Sequence, residues 1–259
     1  MYIAIDVGGT NTRIAASESL TTPLLVQRVE YVNTHDFQTD YASMIGEIRK
    51  ISTEITTIGI SFPGDWTGNP SKLSLPTHNI DWEDKPFVQT MSTEFGCPVY
   101  IENDAVCGAR GTAYHEKVSD DFVYITWGTG IGGAQVTHDG DTAVATQLVW
   151  ATYLKSFEGA CGGANLEKKY GKPGDQLSDE EWQAIMIDFQ SELEKFIDAL
   201  RPSHIVIGGG ITTKQKSRLE NIVSHLESTS GNLPKISISS LGDDAGLYGA
   251  LELIRWNSG

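Results

Sequence analysis

Apolar residues alternate with polar or small ones over residues 2–7, 12–17 and about 25–32, which predicts three consecutive strands. The period then changes. Phe37, Tyr41, Met44, Ile45 and Ile48 recur at helical spacing and predict a helix over about 37–50. Ile58 to Phe62 reads as a buried strand, and a Gly/Pro/Ser-containing segment to about residue 82 is too long for a simple connection. A helix over 83–95, a strand at 98–102 and a helix over 103–114 follow. The second half repeats the theme with a strand at 122–126, a glycine-rich turn at 127–133 and a strand at 134–137, and Asp139-Gly140 marks a tight hairpin turn. Trp182, Ile185, Met186, Phe189, Leu193, Phe196, Ile197 and Leu200 form one apolar face of a helix over 179–200, with Ser178 as its N-cap. A short strand, Ile205 to Ile207, runs into Gly208-Gly209-Gly210, then a helix to about 227, a strand near 235–239 and a last helix over 244–256. Residues 141–162 show no clear period. No low-complexity linker interrupts the chain, which predicts two lobes in close contact.

Composition narrows the partners more than the fold. The 259 residues suffice for one large domain or two ordinary ones, and 39% hydrophobic with 20% charged residues reads as globular. A net charge of −15 argues against nucleic acid and against anionic membranes, and solubility accounts for it. Cys97, Cys107 and Cys161 lie far apart and form neither a disulfide framework nor a metal-binding pair, which fits a reducing, cytoplasmic setting. No apolar run reaches transmembrane length, and residues 1–5 lead straight into a strand, so no signal peptide is expected.

The candidate chemistry sits where strands end. Asp6-Val7-Gly8-Gly9-Thr10-Asn11-Thr12-Arg13 is a strand–turn–strand in which Gly8 and Gly9 let backbone N–H groups approach a ligand. Thr10, Asn11 and Thr12 add side-chain donors, a set suited to phosphate oxygens, and Asp6 would sit beside them as a ligand of Mg²⁺ or of its water. A ligand-free Gly-Gly hairpin is the alternative. Gly128-Thr129-Gly130-Ile131-Gly132-Gly133 occupies the same setting in the second half, and two such hairpins favour phosphate binding over two plain turns. Glu102-Asn103-Asp104-Ala105 falls at a strand–helix junction. There Asn103 suits a sugar hydroxyl and Asp104 suits proton removal from an attacking hydroxyl, unless either simply caps the helix. Gly208-Gly209-Gly210 would let a ring or ribose approach the backbone, or is a plain strand–helix turn. Asp243-Asp244 reads as a structural N-cap, and Gly246, Gly249 and Ala250 would let the last helix pack closely.

Read together, these segments resemble the ROK family of sugar kinases. The resemblance rests on Asp6 to Thr10, Gly59 to Gly64, Asn79-Ile80-Asp81-Trp82, Glu102 to Ala105, Trp127 to Gly133 and Ile207 to Gly210, in that order along the chain. It implies an α/β fold of two RNase H-like, actin-like lobes with a central cleft. Residues 1–113 would form the lobe with the acceptor and the first hairpin, 114–243 the lobe with the second hairpin and the nucleotide side, and 244–259 would pack back on the first. It implies Asp104 as catalytic base, Asn103 and Asn79 as sugar contacts, and the two hairpins with the triple glycine as the holders of ATP and Mg²⁺.

The departures lie at the acceptor end. Many family members carry Glu-x-Gly-His followed by a cysteine-rich zinc motif, whereas Gln147-Leu148-Val149-Trp150 stands here and the cysteine motif is absent, so no zinc site is expected. Gln147 still hydrogen-bonds a hydroxyl but without charge assistance, and Trp150 stacks on a sugar or fills the core. Glu158 takes the place of a sugar-binding glutamate, its alternative being an exposed acid. The leading expectation is phosphoryl transfer to a hexose-like hydroxyl from ATP, with inorganic polyphosphate as a second donor known in the family. A non-catalytic sugar or nucleotide sensor is the alternative that Gln147 and Trp150 motivate. A repressor of the family is disfavoured by the charge and by a first strand at residue 2, and a homodimer is implied by analogy only.

Overall fold

The computed structural model describes residues 1–64, 80–82, 85–140, 142–229, 231 and 233–258. Asn79 lies outside them. The chain divides into two compact units, Met1–His115 with Asp244–Gly259, and Glu116–Asp243.

In the first unit, β1 (Tyr2–Val7), β2 (Asn11–Ser17), β3 (Val26–Val32), β4 (Thr57–Phe62) and β5 (Val99–Asn103) form one sheet in the order β3-β2-β1-β4-β5. The first three are antiparallel neighbours, and β4 and β5 join in parallel. Side-chain alternation sorts the sheet into two faces. Ile3, Ile5, Val7, Ile14, Ile58, Ile60 and Phe62 pack with Met44, Ile45 and Ile48 of α1 (Phe37–Ile51) and with Phe87 and Met91 of α2 (Phe87–Phe95). Burying each such side chain stabilises by about 1.5–3 kcal/mol. The opposite face is built from small residues. Ala4 and Ala15 pack on Leu247, Ala250, Leu251 and Ile254 of the last helix, Ala245–Ser258, which also lies along α3 (Asp104–His115). A Cβ at Gly59 would collide with the Ala250 carbonyl, and one at Gly249 with the Cys107 carbonyl, so glycine sets the helix's approach on both sides. The close packing expected of Gly249 and Ala250 is present.

The second unit repeats the topology. β6 (Phe122–Trp127), β7 (Ile131–Asp139), β8 (Thr142–Gln147), β9 (His204–Gly208) and β10 (Lys235–Ile238) run in the order β10-β9-β6-β7-β8. Three antiparallel strands joined by two parallel ones in each unit is the RNase H-like arrangement the resemblance implied. Its core gathers Ile125, Trp127, Phe157 and Ile207 around α7 (Asp179–Leu200), whose Phe189 ring lies 4.3 Å from that of Trp127. Ser178 caps α7 in a full capping box with Glu181, as its position before the apolar face predicts.

Four boundaries differ from the sequence reading. The helix expected from 83 begins at Phe87, because Pro86 stands at its N-cap and disfavours helical backbone before it. The glycine-rich turn shrinks to residues 128–130, because strand pairing extends to Ile131 and puts Gly132 opposite Thr126. The unread segment 141–162 holds β8, α4 (Trp150–Tyr153) and α5 (Lys155–Cys161), with α6 (Gly163–Tyr170) after it. The helix expected from 210 to 227 is broken at Gln215 into α8 (Gly210–Lys214) and α9 (Lys216–Thr229), and the last helix is α10.

Candidate active site

Strand register in the first unit assembles a polar row across the sheet. Glu30 pairs with Arg13, Arg13 with Asp6, Asp6 with Ser61 and Ser61 with Glu102. Each strand thus contributes one residue near its end to the face that carries α10. Asp6 sits in the middle. Its Oδ1 accepts from Ser61 Oγ at 2.7 Å, and Arg13 Nη1 stands 3.6 Å from Oδ2. A Cβ at Gly246, in the first turn of α10, would overlap the Asp6 carboxylate, so the carboxylate lies against the positive end of that helix. Glu30 holds Arg13 at 3.1 Å and accepts from Asn11 Nδ2 at 2.9 Å. Arg28 carries the chain of charges on to Asp244, at 3.1 Å. Asp244, expected as an N-cap of the last helix, is ion-paired with Arg28.

The first hairpin turn is braced by a residue that sequence reasoning missed. Asn33 Nδ2 donates to the Gly8 carbonyl and Asn33 N–H to the Thr10 carbonyl, each at 2.8 Å. All described peptide bonds are trans, so the Gly9 N–H points opposite to the Gly8 carbonyl, away from Asn33. The Thr12 assignment is corrected. Thr12 is 1% exposed and its hydroxyl donates to Asn33 Oδ1 at 2.7 Å, so its side chain braces the turn and offers no donor to a phosphate. Asn11 likewise has one amide hydrogen engaged by Glu30. Thr12→Val should strand the buried Asn33 oxygen and cost about 1–3 kcal/mol, whereas Thr12→Ser should stay near wild type. Urea unfolding of both variants checks this, and equal stability would sink the bracing role.

Asn103 ends β5 and Asp104 opens α3. Asn103 is buried, and its Oδ1 accepts the N–H groups of Ala105 at 3.0 Å and Val106 at 3.2 Å. Its Nδ2 donates to the Gly64 carbonyl at 2.8 Å. The helix-cap reading therefore holds for Asn103, whose amide keeps a second hydrogen beyond these contacts. Asp104 is half-buried at the helix start, with Oδ1 accepting the Ala105 N–H at 2.9 Å. Glu102 Oε1 accepts the Asn103 N–H at 2.9 Å, and Arg110, one helix face along, stands 3.7 Å from Glu102 Oε2. Beneath them the Cys107 thiol is pushed well up, by burial first and the Glu102 charge second, so it is no nucleophile.

In the second unit the turn 128–130 is tied down from behind. The N–H groups of Gly163 and Ala164, opening α6, donate to the carbonyls of Gly128 at 3.0 Å and Thr129 at 2.8 Å. Trans geometry then aims the Thr129 and Gly130 N–H groups opposite to the carbonyls that α6 holds. Gly132 is not part of this turn. The triple glycine begins at the last residue of β9. A Cβ at Gly208 would strike the Tyr124 hydroxyl, and one at Gly209 would lie 2.6 Å from the Trp127 carbonyl oxygen. On the Cβ side, these two glycines admit the close approach of the protein's own β6. Gly209, at φ 96°, is the N-cap of α8, and Gly210 faces Asp243 Oδ1.

Gln147 ends β8 opposite Ala134, and Trp150 opens α4 with 37% of its surface exposed, so it is no core indole. Glu158 lies in α5 and its Oε2 accepts the Ile131 N–H at 2.9 Å, so it is engaged with the protein and not a solvated acid. Burial holds the Cys161 thiol up at about 12, and among the described residues no three His, Cys, Asp or Glu side chains gather as a metal-binding group. No described helix is long and apolar enough to cross a membrane.

One topology in two units, with a glycine hairpin at the start of each, defines a duplicated α/β protein with an acid at a helix head. A ROK family model matches residues 2–144 of the 259, and the chain belongs to that family. It is 23% identical to a glucokinase of Halalkalibacterium halodurans, over 98% of this chain and 94% of that protein. It is 24% identical to the N-acetyl-D-glucosamine kinase of Haemophilus influenzae, over 98% of this chain and 99% of that protein. The solved ROK family glucokinase of Streptomyces griseus, in complex with glucose and AMPPNP, matches in fold with a TM-score of 0.77 at 20% identity, covering 98% of this chain and 99% of that one.

Proposed function

We propose that the protein transfers the terminal phosphoryl group of ATP to a hydroxyl of a hexose or hexose-like sugar. The observation that carries this reading is Asp104, a carboxylate at the head of α3 whose position is fixed by the buried Asn103 cap. Membership of the ROK family and the sugar-kinase names of its relatives support it. Asp104 takes the proton of the acceptor hydroxyl as the new O–P bond forms and the bond to ADP breaks. The Ala105 N–H on Oδ1 orients the carboxylate, and Glu102 and Arg110 hold the backbone beside it. The Gly9, Thr129 and Gly130 N–H groups compensate phosphate charge, which such transfers depend on.

The residues present fit Mg²⁺ in the mode in which one carboxylate, waters and substrate phosphates suffice. Asp6 would hold it, oriented by Ser61, while Arg13 keeps that carboxylate from turning away. When bound, the ion neutralises charge on the phosphates. Acceptor recognition falls to Asn79, Asn103, Gln147 and Glu158, and the exposed face of Trp150 suits stacking on a sugar ring.

The test is a panel of hexoses, amino sugars and N-acyl sugars with Mg²⁺ and either ATP or inorganic polyphosphate, read as phosphorylated sugar by mass spectrometry. Turnover of at least one sugar is expected. Binding of a sugar without phosphorylation of any would replace the kinase with a sensor.

A further inference from the structure

We infer that Glu158 is a positioning residue for the donor-side turn, strapping the junction of α5 and α6 to the hairpin of β6 and β7. The inference rests on the kinase reading and adds one role within it. The family resemblance makes Glu158 a sugar ligand, and the geometry gives its carboxylate a further task. Oε2 accepts the N–H of Ile131, the first residue of β7 and the one immediately after the turn 128–130. The same junction grips the turn twice more, through Gly163 N–H on the Gly128 carbonyl and Ala164 N–H on the Thr129 carbonyl.

Glu158 is itself immobilised. Its own carbonyl accepts from Gly162 N–H at 2.8 Å and from Asn165 Nδ2 at 2.9 Å. A Cβ at Gly162 would press on the Glu158 carbonyl at 2.8 Å and its Cγ at 2.9 Å, so the side chain is packed against the bend between the two helices. Three bonds from one rigid junction therefore fix a three-residue turn, and trans peptides convert those bonds into the aim of the Thr129 and Gly130 N–H groups. Removing the carboxylate frees the β7 side of the turn. The N–H groups then have to be re-ordered when a phosphate binds, and that ordering weakens binding. Glu158 thus acts on nucleotide affinity through the hairpin.

The test uses the full chain with Glu158→Ala, Glu158→Gln and Glu158→Asp. The affinity for a non-hydrolysable ATP analogue is measured without sugar, and KM is measured separately for nucleotide and sugar. Glu158→Ala should weaken analogue binding about ten-fold, since an acceptor for a buried N–H is lost. Glu158→Gln keeps an acceptor oxygen and should recover to within about three-fold. Amide hydrogen exchange over residues 128–131 should quicken in the alanine variant and return toward wild type in the glutamine one. A change confined to sugar KM, or unaltered exchange over the turn, would overturn the inference and leave Glu158 a sugar ligand only. Should Glu158→Ala not fold, Glu158→Asp, too short to reach Ile131, decides between the same outcomes. A wild type that phosphorylates no sugar would sink the kinase reading instead, while exchange over the turn still reports whether the strap exists.

Discussion

Asp104→Asn is expected to lower kcat by about 10²–10⁴-fold, the range for a positioned general base, with little change in thermal stability. The second half of that expectation is what makes the first informative. The amide keeps an oxygen for the Ala105 N–H, so the start of α3 stays capped and the Asn103 bonds are undisturbed. Only the capacity to take a proton is lost. Asp104→Ala removes the acceptor as well, and should lose activity together with some stability, about 0.5–2 kcal/mol if the contact acts as a cap. Steady-state rates with the best sugar, beside thermal melts of both variants, separate the two effects. Full turnover by Asp104→Asn would remove Asp104 from the chemistry.

Gly249→Val should destabilise the first unit by about 3 kcal/mol or more, the upper part of the range for overpacking. The reason is what the new side chain would meet. A Cβ there runs into the carbonyl, carbonyl carbon and Cα of Cys107, all backbone of α3, which cannot swing aside as a side chain can. Gly46→Ala is the control. Gly46 lies mid-way along α1 with nothing within 4 Å of an added Cβ. Alanine there should stabilise by roughly 0.5–1 kcal/mol through the unfolded chain. Chemical denaturation of both variants reads the contrast, and a Gly249→Val protein as stable as wild type would show that α3 and α10 do not lie this close.

The strands and the long helices were legible because each has a full period to read. Ile3, Ile5 and Val7 announce one face of β1, and the eight apolar residues of α7 announce another. Segment 141–162 was opaque because α4 and α5 have four and seven residues, too few to show a helical period. The break at Gln215 was hidden because α8 and α9 continue nearly in line in sequence. At the site, residue types were legible and their neighbours were not. Asp6 and Asp104 were named from their own motifs, whereas Asn33, Ser61, Arg13 and Glu30 act through register across several strands. Thr12, Gly132, Gly208 and Gly209 each have the composition of a ligand contact and each also bonds, pairs or packs within the protein, which a linear motif cannot display.

The last helix has a bearing on the order of synthesis. The first sheet is complete in sequence at Asn103, yet the helix that covers its small-residue face comes after the whole of the second unit. A ribosome therefore finishes Glu116–Asp243 while Ala4, Ala15 and Gly59 still lack their cover. Domains fold in general as they emerge, but here the unit that starts first must close last. Any chain that stops between the two visits to that unit carries a bare sheet face with it.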